Sequence, residues 1–239
     1  MNNKLLGALS VACISLLFSA CGSENSASAE DEYSSSVIAN EVTQSSSSVD
    51  ESYDPENHLL TDGRDGQIYR TVTVGNQIWM AENLNFAYVE RTEVLDSSSY
   101  CYGNDPSNCE KYGRTYLWSA AMDSAALFSE NGAGCGDGVE CEEKYPVRGV
   151  CPQGWHLPSQ AEAESLIAFV KKENNTDQIC TALTSVYEWG CGAYAMYFWT
   201  STEAGTNVTY IMSIEDEYSG VSSDLKDMLS MISVRCLKD

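Results

Sequence analysis

Eight cysteines lie between residues 101 and 236, at Cys101, Cys109, Cys135, Cys141, Cys151, Cys180, Cys191 and Cys236. That set restricts the fold more than any other feature of the chain. In a reducing compartment it points to thiolate metal sites, and in an oxidising one an even number points to a disulfide framework. The pattern contains no CxxC pair, and neither His58 nor His156 stands at ligand spacing from two cysteines, so a zinc site is not expected.

The first twenty residues decide the compartment. Lys4 precedes an apolar run from Leu5 to Leu17, followed by Phe18-Ser19-Ala20-Cys21. The run is too short for a bilayer core of roughly 30 Å and ends in small residues, as a cleaved secretory signal does. Leu17 to Cys21 resembles the bacterial lipobox, which implies that Cys21 is acylated and becomes the first residue of an exported lipoprotein. Gly22 after that cysteine implies the outer membrane, with the protein lipid-anchored and displayed at the surface. Residues 21–58 are rich in Ser, Ala, Asp, Glu and Asn, including Ser34 to Ser36 and Ser45 to Ser48. Such a stretch buries too little to offset its ordering entropy, and reads as a flexible tether with a reach of about 35 Å. Residues 59–239 are long enough for one domain with its own core.

Eight cysteines allow 105 pairings. Short Gly-, Asn- and Asp-rich intervals favour three local bridges, Cys101 with Cys109, Cys135 with Cys141 and Cys180 with Cys191. Cys151 and Cys236 then remain for each other. The formal net charge of −22 argues against nucleic acid and anionic headgroups as partners, since both would be repelled. Calcium is the one cofactor such a surface suggests, and no motif supports it.

Along the domain, Gln67 to Val74 alternates, Gly75-Asn76 forms a turn, and Gln77 to Met80 returns, which is a β-hairpin. Tyr112 to Trp118 reads as a turn and short strand, and Ser119 to Ser129 as a helix. Asn131 to Tyr145 is a Gly- and acid-rich loop. Ser159 with Glu162 forms an S-x-x-E capping box, and Ala163, Leu166, Ile167 and Val170 follow on one face, so a second helix runs to about Asn174. Strands are expected at 195–200, 208–214 and 231–236.

Four motifs, Asp62 to Tyr69, Trp79 to Leu84, Cys151 to Pro158 and Phe198 to Thr202, followed by Val234-Arg235-Cys236, together resemble the Fibrobacter succinogenes major paralogous domain family. The resemblance runs over residues 59–239. It implies an α+β, C-type-lectin-like fold with two helices packed on a twisted, mostly antiparallel sheet and long disulfide-stapled loops. It also implies the Cys151 to Cys236 bond. The calcium-ligating Glu-Pro-Asn and Trp-Asn-Asp motifs of lectins are absent; Trp199-Thr200-Ser201-Thr202-Glu203 stands in the latter's place. The sulfatase-modifying relatives need a reactive cysteine pair, and the pairing above leaves none, so no catalytic residue and no enzyme is expected.

Trp79, Trp118, Trp155 and Trp199 sit inside motifs and are expected in the core. His156 is expected to be buried and hydrogen-bonded rather than catalytic. Trp189, Tyr187 and Tyr194, about the Cys180 to Cys191 loop, form the expected ligand platform, and Glu203, after Trp199-Thr200-Ser201-Thr202, is a further expected ligand residue. The functional expectation is a surface-displayed module binding carbohydrate or another cell-surface polymer. The alternative is an assembly lipoprotein that docks against another envelope protein.

Overall fold

The computed structural model describes residues 52–89, 98–172, 183, 196–215, 219–226 and 231–239. The leader, Cys21 and the tether up to residue 51 lie outside these residues, as do Cys180, Cys191, Tyr187, Trp189 and Tyr194. Among the described residues no helix is long and apolar enough to cross a membrane.

The elements in chain order are β1 (Ser52–Asp54), β2 (Leu59–Thr61), β3 (Ile68–Val74), β4 (Gln77–Met80), β5 (Ser99–Tyr100), α1 (Pro106–Tyr112), β6 (Thr115–Tyr116) and α2 (Trp118–Ala121), then β7 (Trp155–His156), α3 (Gln160–Lys172), β8 (Met196–Gly205), β9 (Val208–Ile214), β10 (Gly220–Leu225), β11 (Ile232–Ser233) and β12 (Leu237–Lys238). Instead of one sheet there are two, ordered β1-β2-β3-β4-β12-β7 and β10-β9-β8-β11-β6-β5. The described pairings are antiparallel except β8 with β11. Strand β1 falls within the stretch expected as tether and pairs with β2.

The β3–β4 hairpin follows from its turn. Val74 pairs with Gln77, so only Gly75 and Asn76 form the loop, and Gly75 takes the positive φ (62°) that such a turn requires. Tyr69, Thr71 and Val74 of β3 are buried, Tyr69 in one core and Val74 in the other. Helix α3 starts at the expected box: the Glu162 N–H donates to Ser159 Oγ (3.3 Å), and the Ser159 N–H donates back to Glu162 Oε2 (2.8 Å). Its Ala163, Leu166, Ile167 and Val170 are buried against Val74, Trp79, Phe198, Met212, Ile214 and Leu237.

A second core holds Trp118, Trp155 and Trp199 with Leu60, Met80 and Tyr116. All four motif tryptophans are buried, Trp79 in the core under α3. Two of them tie β8 to its neighbours, the Trp118 indole N–H of α2 donating to Thr200 O (2.9 Å) and that of Trp199 to Tyr116 O of β6 (2.8 Å).

The helix expected over Ser119 to Ser129 ends at Ala121. Buried Asp123, at φ 58°, turns its carboxylate to the N–H groups of Leu127, Phe128 and Ser129 and to the Tyr88 hydroxyl. An aspartate that satisfies three consecutive amides competes with helix propagation, and here it wins. Gly149 packs its α-carbon on the Ala121 carbonyl, where a β-carbon would overlap the oxygen. Conversely, α1 is real although it was not expected. Asp105 accepts from the Ser107 N–H and Pro106 occupies the first position, an Asp-Pro start signal that the chain displays openly.

Three disulfides join Cys101 to Cys109, Cys135 to Cys141 and Cys151 to Cys236. The last crosses the interior, both sulfurs being fully buried.

Candidate functional site

Four segments distant in sequence meet around one open cavity of about 660 Å3. Strand β7 pairs with β12 in the register Leu237 to His156, which sets His156 beside Asp239. The first turn of α3 brings Ser159, Gln160 and Glu162, β8 brings Thr202, and the segment that follows the Cys135–Cys141 bridge brings Tyr145 and Pro146. The helix start is docked on β8 by two bonds, from the Ser201 N–H to Pro158 O (2.8 Å) and from the Gln160 N–H to Thr202 Oγ1 (3.0 Å).

His156 lies between two carboxylates. Its Nδ1 is 2.6 Å from Asp239 Oδ1 and its Nε2 is 3.1 Å from Glu162 Oε1. Both contacts are hydrogen bonds at once only in the imidazolium form, since carboxylates accept and only the charged ring donates from both nitrogens. Burial alone would pull the imidazole pKa down, but the hydrogen bonds to Glu162 and Asp239, with their charges, outweigh it and the net direction is up. For Glu162 burial pushes upward, while His156 and the Ser159 N–H and hydroxyl more than reverse it and hold the carboxyl at about 2.

These shifts define a stability window. The raised His156 value contributes stability that is complete below the ordinary 6.5 and is lost as pH rises through the folded value. The depressed Glu162 value contributes stability that is complete above 4.5 and is lost as pH falls toward 2. Denaturant unfolding is therefore expected to show greatest stability between these limits and a decline toward pH 8. His156→Gln is expected to flatten that alkaline decline, and an unchanged decline in the variant would remove His156 as its cause.

Tyr145 supplies the aromatic ring of the lining. It is half exposed (52%), and its hydroxyl is 2.9 Å from Glu143 Oε1 and 3.0 Å from Thr202 Oγ1. Burial of the hydroxyl pushes its pKa up to about 12, and the charges of Glu143 and Glu162 push the same way, although the bond to Thr202 opposes them. The phenol is therefore held as a neutral hydroxyl on a fixed ring.

The expected ligand residue Glu203 is turned to another use. Its side chain is nearly buried, pairs with the fully buried Lys226, and accepts the Cys141 N–H (3.1 Å). Lys226 also donates to Val139 O (3.3 Å) and Thr206 O (3.1 Å) and sits 4.5 Å over the Trp118 ring. The pair thus clamps the loop that carries Tyr145. Cys141, Glu143 and Glu203 place ligand atoms within 4.8 Å of one another, but the Cys141 sulfur is bonded to Cys135 and Glu203 is neutralised by Lys226. That donor set does not suit a cation.

Trp189, Tyr187 and Tyr194 lie outside the described residues, so the platform expected there has no counterpart in this geometry. Tyr145 was missed by sequence reasoning, although the signal was present. An aromatic next to a stapled loop is held exposed and rigid, and that argument applies to the Cys135–Cys141 loop as well as to the Cys180–Cys191 loop.

Residues 72–188 match the sequence model of the family described as the Fibrobacter succinogenes major domain. The matched span holds Tyr145, His156, Ser159 and Glu162, while Thr202 and Asp239 fall beyond it. No curated protein and no solved structure matches the chain.

Proposed function

We propose that this chain, which belongs to the Fibrobacter succinogenes major domain family through residues 72–188, is a binding module for carbohydrate or another cell-surface polymer. We further propose that it is anchored in the outer membrane through acylated Cys21 and displayed outward on a tether that ends before β1, at about residue 51. The observation that carries the binding reading is that the half-exposed Tyr145, tied to Thr202 through its hydroxyl, lines one cavity with the polar groups of Gln160, Glu162 and Asp239. A pyranose has an apolar C–H face, which suits a fixed aromatic ring, and a hydroxyl edge, which suits a few convergent acceptors and donors.

Binding is favoured over hydrolysis because Glu162, held at about 2, stays ionised at working pH and offers an acceptor rather than a general acid. A C-type-lectin-like reading of the fold is supported by the Trp155-His156-Leu157-Pro158 segment that leads into α3 and by the Cys151–Cys236 bond behind it.

The purified protein, mixed with a panel of insoluble polysaccharides, is expected to sediment with at least one of them, with and without a calcium chelator. Tyr145→Ala is expected to weaken that binding about tenfold, equivalent to about 1.4 kcal/mol. Retained binding in the variant would place the site elsewhere, and loss on chelation would demand a calcium ion. Absence of binding to every polymer would favour docking against another envelope protein.

A further inference from the structure

We infer that the saccharide taken by this cavity carries a free amino group, a conclusion that rests on the binding reading above and narrows its ligand class. The cavity wall is unbalanced in charge. Glu162 and Asp239 line it, and Glu143 adjoins it through the Tyr145 hydroxyl. Against these three carboxylates stands the single imidazole of His156, which Glu162 and Asp239 share. Among the described residues no lysine or arginine lines the cavity. Lys226, the nearby buried cation, is committed to Glu203 and to two backbone carbonyls.

Glu143 differs from the other acids of this region. Its described bonds come from the Tyr145 hydroxyl and, at 3.4 Å, from the Glu203 N–H, and among the described residues no cation pairs with it. It stands at the hydroxyl end of the one exposed ring of the site. A primary ammonium there donates to carboxylate while the sugar ring lies along the phenol, and ammonium beside a tyrosine face is itself favourable. A uronic acid in the same place meets like charge, reinforced by the net charge of −22 that draws cations toward the whole protein.

The test uses the full-length protein at pH 6, where a primary amine is protonated, in 0.15 M salt so that exposed charges beyond about 8 Å are screened. The probes are the trisaccharides of glucosamine, of N-acetylglucosamine and of galacturonic acid, titrated calorimetrically. The glucosamine trimer is expected to bind about tenfold more tightly than its N-acetylated counterpart, and the galacturonate trimer not at all. Glu143→Gln retains an acceptor for Tyr145 and changes one charge. It is expected to remove most of that preference while leaving affinity for the N-acetylated trimer within about twofold. Tyr145→Ala is expected to weaken binding of both.

Equal or tighter binding of the N-acetylated trimer, sensitive to Tyr145→Ala, overturns the amino-group inference and leaves the binding reading standing. A preference that survives both substitutions assigns it to the general acidity of the protein and overturns the inference as well. If none of the three trimers binds, the inference fails, and the polysaccharide panel described above decides whether the binding reading fails with it.

Discussion

Replacing Cys151 and Cys236 together by alanine is expected to lower the unfolding free energy by about 4.5 kcal/mol, read from denaturant unfolding with the slope fitted for each variant. The bond spans 85 residues. Releasing a loop of that length returns that much chain entropy to the unfolded state, and both sulfurs lie in the core, so repacking adds to the loss. The comparison within the molecule is the sharper test. Cys101 and Cys109 are only eight residues apart, and their removal is expected to cost about 2.5 kcal/mol on the same entropic scale. If the short bridge proves the more costly, loop entropy is not what the long one supplies.

The second large effect is expected at the clamp between Lys226 and Glu203. Lys226→Met alone leaves the Glu203 carboxylate nearly buried without a counter-charge, and a broken buried pair costs about 3–5 kcal/mol. Lys226→Met combined with Glu203→Leu is expected to recover most of that loss, because two apolar side chains replace two desolvated charges. Equal instability of single and double variants would show that Lys226 acts through Val139 O, Thr206 O and the Trp118 ring rather than through Glu203.

What was legible in the chain was local. The β3–β4 turn and the α3 start each depend on a few consecutive residues whose own chemistry dictates the geometry, Gly75 in one case and Ser159 with Glu162 in the other. The four motif tryptophans, Trp79, Trp118, Trp155 and Trp199, declared themselves as core by size and context. The division into two sheets was not legible. Strands β5, β6, β7, β11 and β12 have two residues each, too few to show a period, and they are held by partners remote in sequence.

The helix after Trp118 was over-read for a related reason. Ala-rich composition favours helix, yet one buried carboxylate at Asp123 ends it. The cavity draws on residues 145, 156 to 162, 202 and 239. No spacing rule joins these, so His156 was legible as buried and hydrogen-bonded but not as the centre of a wall. Glu203 looked available because nothing near it in sequence reveals Lys226, twenty-three positions further on.

Strand β12 lies between β4 and β7, and β11 lies between β8 and β6. The segment from 232 to 238 is therefore the keystone of both sheets, although it is the last part of either to leave a ribosome. Until it emerges, β4, β6, β7 and β8 each keep an open edge, and Cys151 has no native partner. A chain lacking residues 232–239 leaves those four described strand edges without their partners and Cys151 without its own, and that one segment satisfies all of them.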